Sequence, residues 1–272
     1  IASAWSRFCG IWAWLAKKGS INMRIILSGA SGHMGRAVAE QAKAEGIEVL
    51  FGVDAAGGTA AFPIYVSFAE APAVQDAAVI DLYRPDALEG LLSYAEANRL
   101  PVVLATTGYT AEQEARVDEA AKVIPVFRSA NMSVGVALLR HLCQEAARVL
   151  GESFDVEIVE AHHNRKVDAP SGTALALYDA IKDAYAEPRT AQYGRHGRDC
   201  KRQHNEIGIH ALRGGTVTGE HEVCFFGPAE RIRISHSAEN RSVFASGALK
   251  AAAFLQAKSP ARYDMTSLVE EV

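Results

Sequence analysis

The sequence predicts an α/β protein with two parts: a doubly wound parallel sheet first, then an α+β unit whose sheet is mostly antiparallel. Three observations carry this reading. Between residues 23 and 150, short β-branched runs alternate with helical segments, the order that βαβ units require. The first of these strands runs straight into a glycine-rich turn and a helix. After about residue 150 the alternation gives way to strands of period two, joined by Gly-Gly and Gly-Pro turns.

The first strand is Met23–Ser28, apolar and β-rich, and Ala37–Ala44 reads as the first helix. Gly29, Ala30, Ser31, Gly32, His33 and Met34 form the turn between them. Gly32 and Gly35 have the spacing of the last two glycines of a dinucleotide fingerprint, with the first displaced to Gly29. The context marks a Rossmann-type nucleotide domain. The second strand, Val49–Asp54, ends in an acid placed to accept hydrogen bonds from the adenosine ribose hydroxyls. Asp54 also reads simply as the start of the Ala55–Gly58 turn.

Further strands are expected at Ala77–Leu82, Pro101–Thr106 and Ile124–Phe127, and helices at Asp86–Asn98 and Val134–Leu150. Thr110-Ala-Glu-Gln113 spells a capping box that opens another helix. Tyr83-Arg84-Pro85, Thr106-Thr107-Gly108 and Ala130-Asn131-Met132 follow strand ends, where parallel sheets bind ligands.

In the second part, Phe154–Glu160 alternates with period two and leads into Glu160-Ala-His162-His163-Asn-Arg-Lys166-Val-Asp168-Ala-Pro-Ser171-Gly172-Thr173. Imidazoles transfer protons near neutrality, and a lysine held near other cations can donate one. Ser171-Gly172-Thr173 opens a helix whose first N–H groups suit a carboxylate or phosphate. The helix is expected over Ser171–Tyr185, and 186–205 as a polar, basic loop, solvated and mobile or else a lid. Strands at Glu206–Arg213, Thr218–Phe226 and Glu230–His236 and a helix at Phe244–Gln256 complete the chain. No further Cys or His stands at zinc-ligand spacing, so no metal is expected.

Composition narrows the class. The chain has 272 residues and a net charge of -4, which suits two cores and argues against a nucleic-acid partner. Cys9, Cys143, Cys200 and Cys224 are scattered without C-x-x-C spacing, so a reduced, cytoplasmic protein is expected. No apolar run reaches membrane-spanning length. Residues 1–22 hold all three tryptophans (Trp5, Trp12, Trp14) and precede Met23. They read as an artificial or mis-called extension, with the start at Met23; an amphipathic membrane-surface helix is the alternative.

Gly-Ala-Ser-Gly-His-Met-Gly-Arg, Ala-Thr-Thr-Gly-Tyr, Ser-Ala-Asn-Met-Ser-Val-Gly and the His162–Thr173 segment together resemble the 4-hydroxy-tetrahydrodipicolinate (dihydrodipicolinate) reductase family. Leu-Arg-Gly-Gly-Thr-Val-Thr-Gly-Glu-His and Phe-Ala-Ser-Gly-Ala-Leu extend the likeness, which runs from Met23 to the Tyr263-Asp264-Met265 tail. The resemblance implies hydride transfer from NADH or NADPH to a cyclic, unsaturated dicarboxylate imine with loss of water, in the diaminopimelate route to lysine. It implies that His162 and Lys166 handle protons, His163 contacts substrate, and Gly172 and Thr173 hold a carboxylate. The cofactor would be lined by Gly29 to Met34, Asp54, Ala105, Thr106, Thr107, Ser129, Ala130, Asn131 and Met132.

The resemblance further implies a dinucleotide-binding domain over 23–133, a substrate and oligomerisation domain over 134–239, and a return over 240–272 to the first. Homotetramers would form through the second domain's sheet. Tyr83 stands where Thr or Ser is usual, Ala105 for Gly and Met132 for Phe, all near the expected nicotinamide; His33 and Ala55 often carry arginine. Asp54 would repel a ribose phosphate, and Arg36, just after Gly35, is expected to face along its helix. NADH is therefore expected to be preferred over NADPH. The alternative is another two-domain nicotinamide dehydrogenase acting on a small amino acid or sugar acid.

Overall fold

The structure, a computed structural model, describes residues 23–271; the expected extension at 1–22 lies outside them. In chain order come β1 (Arg24–Ser28), α1 (His33–Ala44), β2 (Glu48–Val53), β3 (Ile64–Tyr65), β4 (Ala78–Asp81), α2 (Leu88–Asn98), β5 (Val102–Leu104), α3 (Ala111–Ala120) and β6 (Pro125–Arg128). Then follow α4 (Val134–Leu150), β7 (Asp155–His162), α5 (Gly172–Lys182), β8 (Thr190–Tyr193), β9 (Glu206–Arg213), β10 (Gly219–Phe226) and β11 (Arg231–Ala238). The chain ends on α6 (Ser242–Leu255), β12 (Ala261–Tyr263) and α7 (Met265–Glu271). Two compact units result: residues 23–134 with 242–271, and residues 135–241.

In the first unit a seven-stranded sheet runs β12-β6-β5-β4-β1-β2-β3, and every neighbouring pair is parallel. From β1 the chain winds outward through β2 and β3, then returns to β4 on β1's other side. That reversal makes the carboxyl ends of β1 and β4 a switch point, where such sheets open a ligand crevice. Helices on both faces explain why Ala78-Val79-Ile80-Asp81 is buried at every position. Leu88, Leu91 and Leu92 of α2 and Val117 and Ala120 of α3 pack on Ile26, Val79, Val102 and Val126. The opposite face is covered by α6, whose run Ala251–Leu255 is fully buried.

α1 begins four residues earlier than the apolar pattern suggested, because the helix starts inside the glycine turn itself. Thr110 and Gln113 form the expected capping box, each side chain bonding the other's backbone N–H. The two- to four-residue strands β3, β8 and β12 and the short α7 escaped the sequence reading, since periodicity needs longer windows.

The second unit holds a five-stranded sheet in the order β11-β10-β7-β9-β8. β11, β10 and β7 pair antiparallel, while β7, β9 and β8 pair parallel, with α5 serving as the crossover between β7 and β9. Leu139, Cys143 and Ala147 of α4 and Ala174, Leu177 and Ile181 of α5 pack on Val156, Ile158, Ile207 and Val223. β7 buries alternate residues, so Val156, Ile158, Glu160 and His162 all face this core.

The basic segment at 186–205 departs from expectation. It contributes β8 to the sheet, and its arginines are held: Arg189 by Glu152, Arg195 by Glu157 and Glu206, Arg202 by Asp155 and Glu157. The reading of a mobile, solvated loop or an anion-seeking lid is therefore corrected for these three residues. The acids that hold them are distant in sequence, and local composition could not reveal them.

Candidate active site

At the switch point of the first unit, Gly29 takes φ +77° and its N–H donates to Val53 O at 2.8 Å. A side chain would be strained there. Gly32 is the N-cap of α1 and brings no side-chain cap, so the first-turn N–H groups around His33 and Met34 remain available to a pyrophosphate. A Cβ on Gly35 would fall 2.2 Å from Gly29 O, so only glycine lets the helix approach the turn this closely. The turn fits a dinucleotide.

Asp54 is 4 % exposed, and its two carboxylate oxygens accept from the N–H groups of Ser31 and Ala56, each at 3.1 Å. Asp54 starts the Ala55–Gly58 turn and stands against the glycine loop. Tyr83 packs against the glycine turn at Gly29. Its hydroxyl accepts from the Ala55 N–H at 3.2 Å, beside Asp54, and Arg84 lies over its ring while pairing with Asp86. Arg36 and Lys43 line a cleft of about 670 Å³ along α1, with Ser31, Phe62 and Ile64.

The other rim residues also follow strand ends. The Ala105 N–H donates to Asp81 O, Arg128 donates to Thr106 O, and Thr107 is exposed. The Ser129 N–H bonds Leu104 O and its hydroxyl bonds Asn131 O, while Asn131 Oδ1 accepts from Ser133 N–H. Ala130 is exposed and Met132 buried; a Cβ on Gly247 would fall 1.6 Å from Met132 O, so α6 fixes this turn from below. Sequence reasoning missed Asp81, 1 % exposed, which accepts from Ser28 Oγ at 2.6 Å and Tyr109 Oη at 3.1 Å. Burial pushes its carboxyl above the ordinary value against those hydrogen bonds.

The second unit gathers the histidine segment. His162 Nδ1 bonds Glu160 at 2.6 Å, and Glu160 also accepts from the Ser171 N–H at 3.0 Å and from both terminal nitrogens of Arg213 at 2.9 Å. Burial pushes the Glu160 carboxyl up, but Arg213, His162 and the Ser171 N–H together hold it below the ordinary value. Ser171 caps α5 by accepting from the Ala174 N–H, and the helix starts at Gly172 and Thr173. Lys166 is tethered to Asp168 at 2.8 Å, and the His163 N–H bonds Val217 O. The His163 Nδ1 is buried and has no hydrogen-bond partner among the described residues. A buried polar atom in that state suits contact with a polar ligand.

His221 was also missed. It is 4 % exposed, its Nε2 meets Ser171 Oγ at 3.2 Å, and its ring stands 5.2 Å from that of His162. His221 ends the Leu212–His221 stretch that carries the family resemblance, and alternation gave a second signal: β7 places Glu160 beside His162, and β10 places His221 on a buried position. No group of three or more His, Cys, Asp or Glu among the described residues could hold a metal ion. No helix among them is long and apolar enough to cross a membrane.

Comparison with known proteins decides the family. The family model described as dihydrodipicolinate reductase, N-terminus, matches residues 23–132, and its C-terminus counterpart matches 135–269. The chain belongs to the dihydrodipicolinate reductase family. It is 50 % identical over 250 residues to the 4-hydroxy-tetrahydrodipicolinate reductase of Caldanaerobacter subterraneus subsp. tengcongensis, covering 92 % of this chain and 99 % of that protein. With the Clostridium novyi reductase it shares 46 % over 249 residues, covering 91 % and 98 %. In fold it is similar to dipicolinate-bound dihydrodipicolinate reductase from Paenisporosarcina sp. TG-14: TM-score 0.72, 21 % identity, 89 % and 97 % coverage.

The buried imidazole of His221 makes a pH prediction. Burial, with the nearby His162 charge, pushes His221 down from 6.5 to about 4. Between these values the unfolded chain binds the proton that the folded chain refuses, so stability falls as pH drops through this window. The contribution of this residue reaches about 3 kcal/mol at ~1.4 kcal/mol per unit. Urea unfolding from pH 7 to pH 4 should show a shallower loss for His221→Gln than for the unaltered protein. Parallel curves would refute the assignment.

Proposed function

We propose that this protein reduces 4-hydroxy-tetrahydrodipicolinate to tetrahydrodipicolinate in lysine biosynthesis: substrate, NAD(P)H and a proton give product, NAD(P)⁺ and water. The observation that carries this reading is the network in the second unit where Glu160 bonds His162 and the Ser171 N–H at the α5 start and, through Arg213 and Asp168, connects to Lys166, within a chain of this family. A dicarboxylate needs cations and N–H donors, and these are the groups assembled. His162 is read as the proton donor and acceptor and Lys166 as the proton donor. His163, Gly172 and Thr173 are read as the substrate's anchors. The bound nicotinamide supplies the hydride, held by Gly29 to Met34, Asp54, Ala105 to Thr107 and Ser129 to Met132. A homotetramer formed through the second sheet is supported by Leu212 and Phe226, exposed on the sheet face that turns away from its helices.

Freshly prepared substrate with reduced nicotinamide tests the reading directly. The protein should oxidise the cofactor in proportion to the substrate added, and Lys166→Ala should cut turnover roughly a hundred- to ten-thousandfold without weakening cofactor binding. Near-normal turnover in that variant would remove Lys166 from the chemistry. Absence of turnover in the unaltered protein would remove the function.

The cofactor assignment goes further, to NADH. Asp54 presents a carboxylate beside the ribose position, Ala55 offers no cation, and Arg84 is already paired with Asp86. Catalytic efficiency at one ionic strength should be higher with NADH, and Ala55→Arg should move it towards NADPH. A clear NADPH preference in the unaltered protein would mean that Arg36 or Arg84 reaches the phosphate.

A further inference from the structure

The Glu160 side chain has no exposed surface, yet it carries a carboxylate that touches no position assigned to substrate. Each of its neighbours leads to a part of the site. Its bond to His162 Nδ1 is 2.6 Å, its bond from the Ser171 N–H fixes the cap of α5, and Arg213, bidentate on it, also donates to Asp168 O at 2.7 Å. Asp168 in turn holds Lys166. One acid and one guanidinium thus tie together the imidazole, the helix start and the lysine loop.

We propose that Glu160 is a positioning residue of the reaction: paired with Arg213, it fixes His162 as the Nδ1–H tautomer and leaves Nε2 as the atom that exchanges the proton. This rests on the reading of His162 as the proton carrier. An ionised carboxylate only accepts hydrogen bonds, so the proton of the short Glu160 contact belongs to Nδ1. Arg213 and the Ser171 N–H keep the acid ionised despite its burial. The other ring nitrogen faces backbone without a side chain: a Cβ on Gly219 would sit 3.2 Å from His162 Nε2. His221 flanks the ring and, pushed down to about 4, stays neutral and does not compete for the proton at neutral pH. Three residues from β7, β9 and β10 therefore orient one imidazole, and none of the three need touch substrate.

Glu160→Gln in the full chain is the test. A glutamine can turn its amide NH₂ towards Nδ1, which favours the opposite tautomer. kcat should fall roughly a hundred- to ten-thousandfold, the range that a positioned general acid or base contributes, while substrate KM and NADH binding change less than about threefold. Nitrogen-15 spectra of the histidine rings should show His162 losing its Nδ1–H form, and Glu160→Asp should recover part of the rate. Wild-type kcat in Glu160→Gln, or an unchanged His162 tautomer, would overturn the proposal. Should Glu160→Gln fail to fold, Gly219→Ala tests the other nitrogen: it leaves the acid network intact and crowds Nε2, so kcat should drop at least about tenfold. Unaltered kcat there would also overturn it. If His162→Gln is inactive while Glu160→Gln is fully active, the positioning role falls and the function stands; if the unaltered protein never turns over, the function itself falls.

Discussion

A carboxylate with no water around it must be paired from several sides, and the second unit is organised by meeting that demand at Glu160. Desolvation of one charge costs several kcal/mol, and an Arg partner alone rarely offsets it. Here Arg213 supplies two donors, Ser171 a backbone N–H and His162 a ring N–H. The cost of breaking any of these contacts is high, so the geometry of the His162 imidazole is enforced by the stability of the fold. Stability and positioning are the same interaction.

The first unit shows a related constraint, in sterics instead of charge. Gly35 brings α1 within van der Waals contact of the Gly29 carbonyl, and that close approach aims the uncapped helix start at the crevice. Asp54 and Asp81 then brace the turn from two sides, through Ser31 and Ser28. The two acids stand at the ends of β2 and β4, the strands that flank β1, so the rim inherits its rigidity from the sheet. The glycine turn and Asp54 are held by backbone geometry more than by any single contact.

Much of this was legible in the sequence, for stated physical reasons. Parallel strands buried on both faces leave unbroken apolar runs, and Ala78–Asp81 and Val102–Leu104 showed as such. The Thr110–Gln113 capping box and the helix Val134–Leu150 carried local signals strong enough to place them closely. The dense His162–Thr173 segment stood out because titratable groups, cations and a helix start rarely coincide, and His162, Lys166 and the helix start are joined in one network. What could not be read were partners far apart in the chain. Glu160 meets Arg213 across 53 residues, Tyr83 meets Ala55 across 28, and Glu157 captures Arg195 across 38. The last of these turned an expected mobile loop into a pinned edge. Gly219 and His221 close the Leu212–His221 motif, but only the register of β10 beside β7 sets them against His162.

The claim on which the rest depends is that a dicarboxylate is received at the imidazoles and helix start of the second unit. Titration of histidine-labelled protein with pyridine-2,6-dicarboxylate, followed by nitrogen-15 spectra, tests it without reliance on turnover. The account predicts saturable shifts at His162 and His163, with His210, on the far face of the sheet against Glu157, left unmoved. Saturable binding of the dicarboxylate with His162 and His163 unperturbed would contradict it.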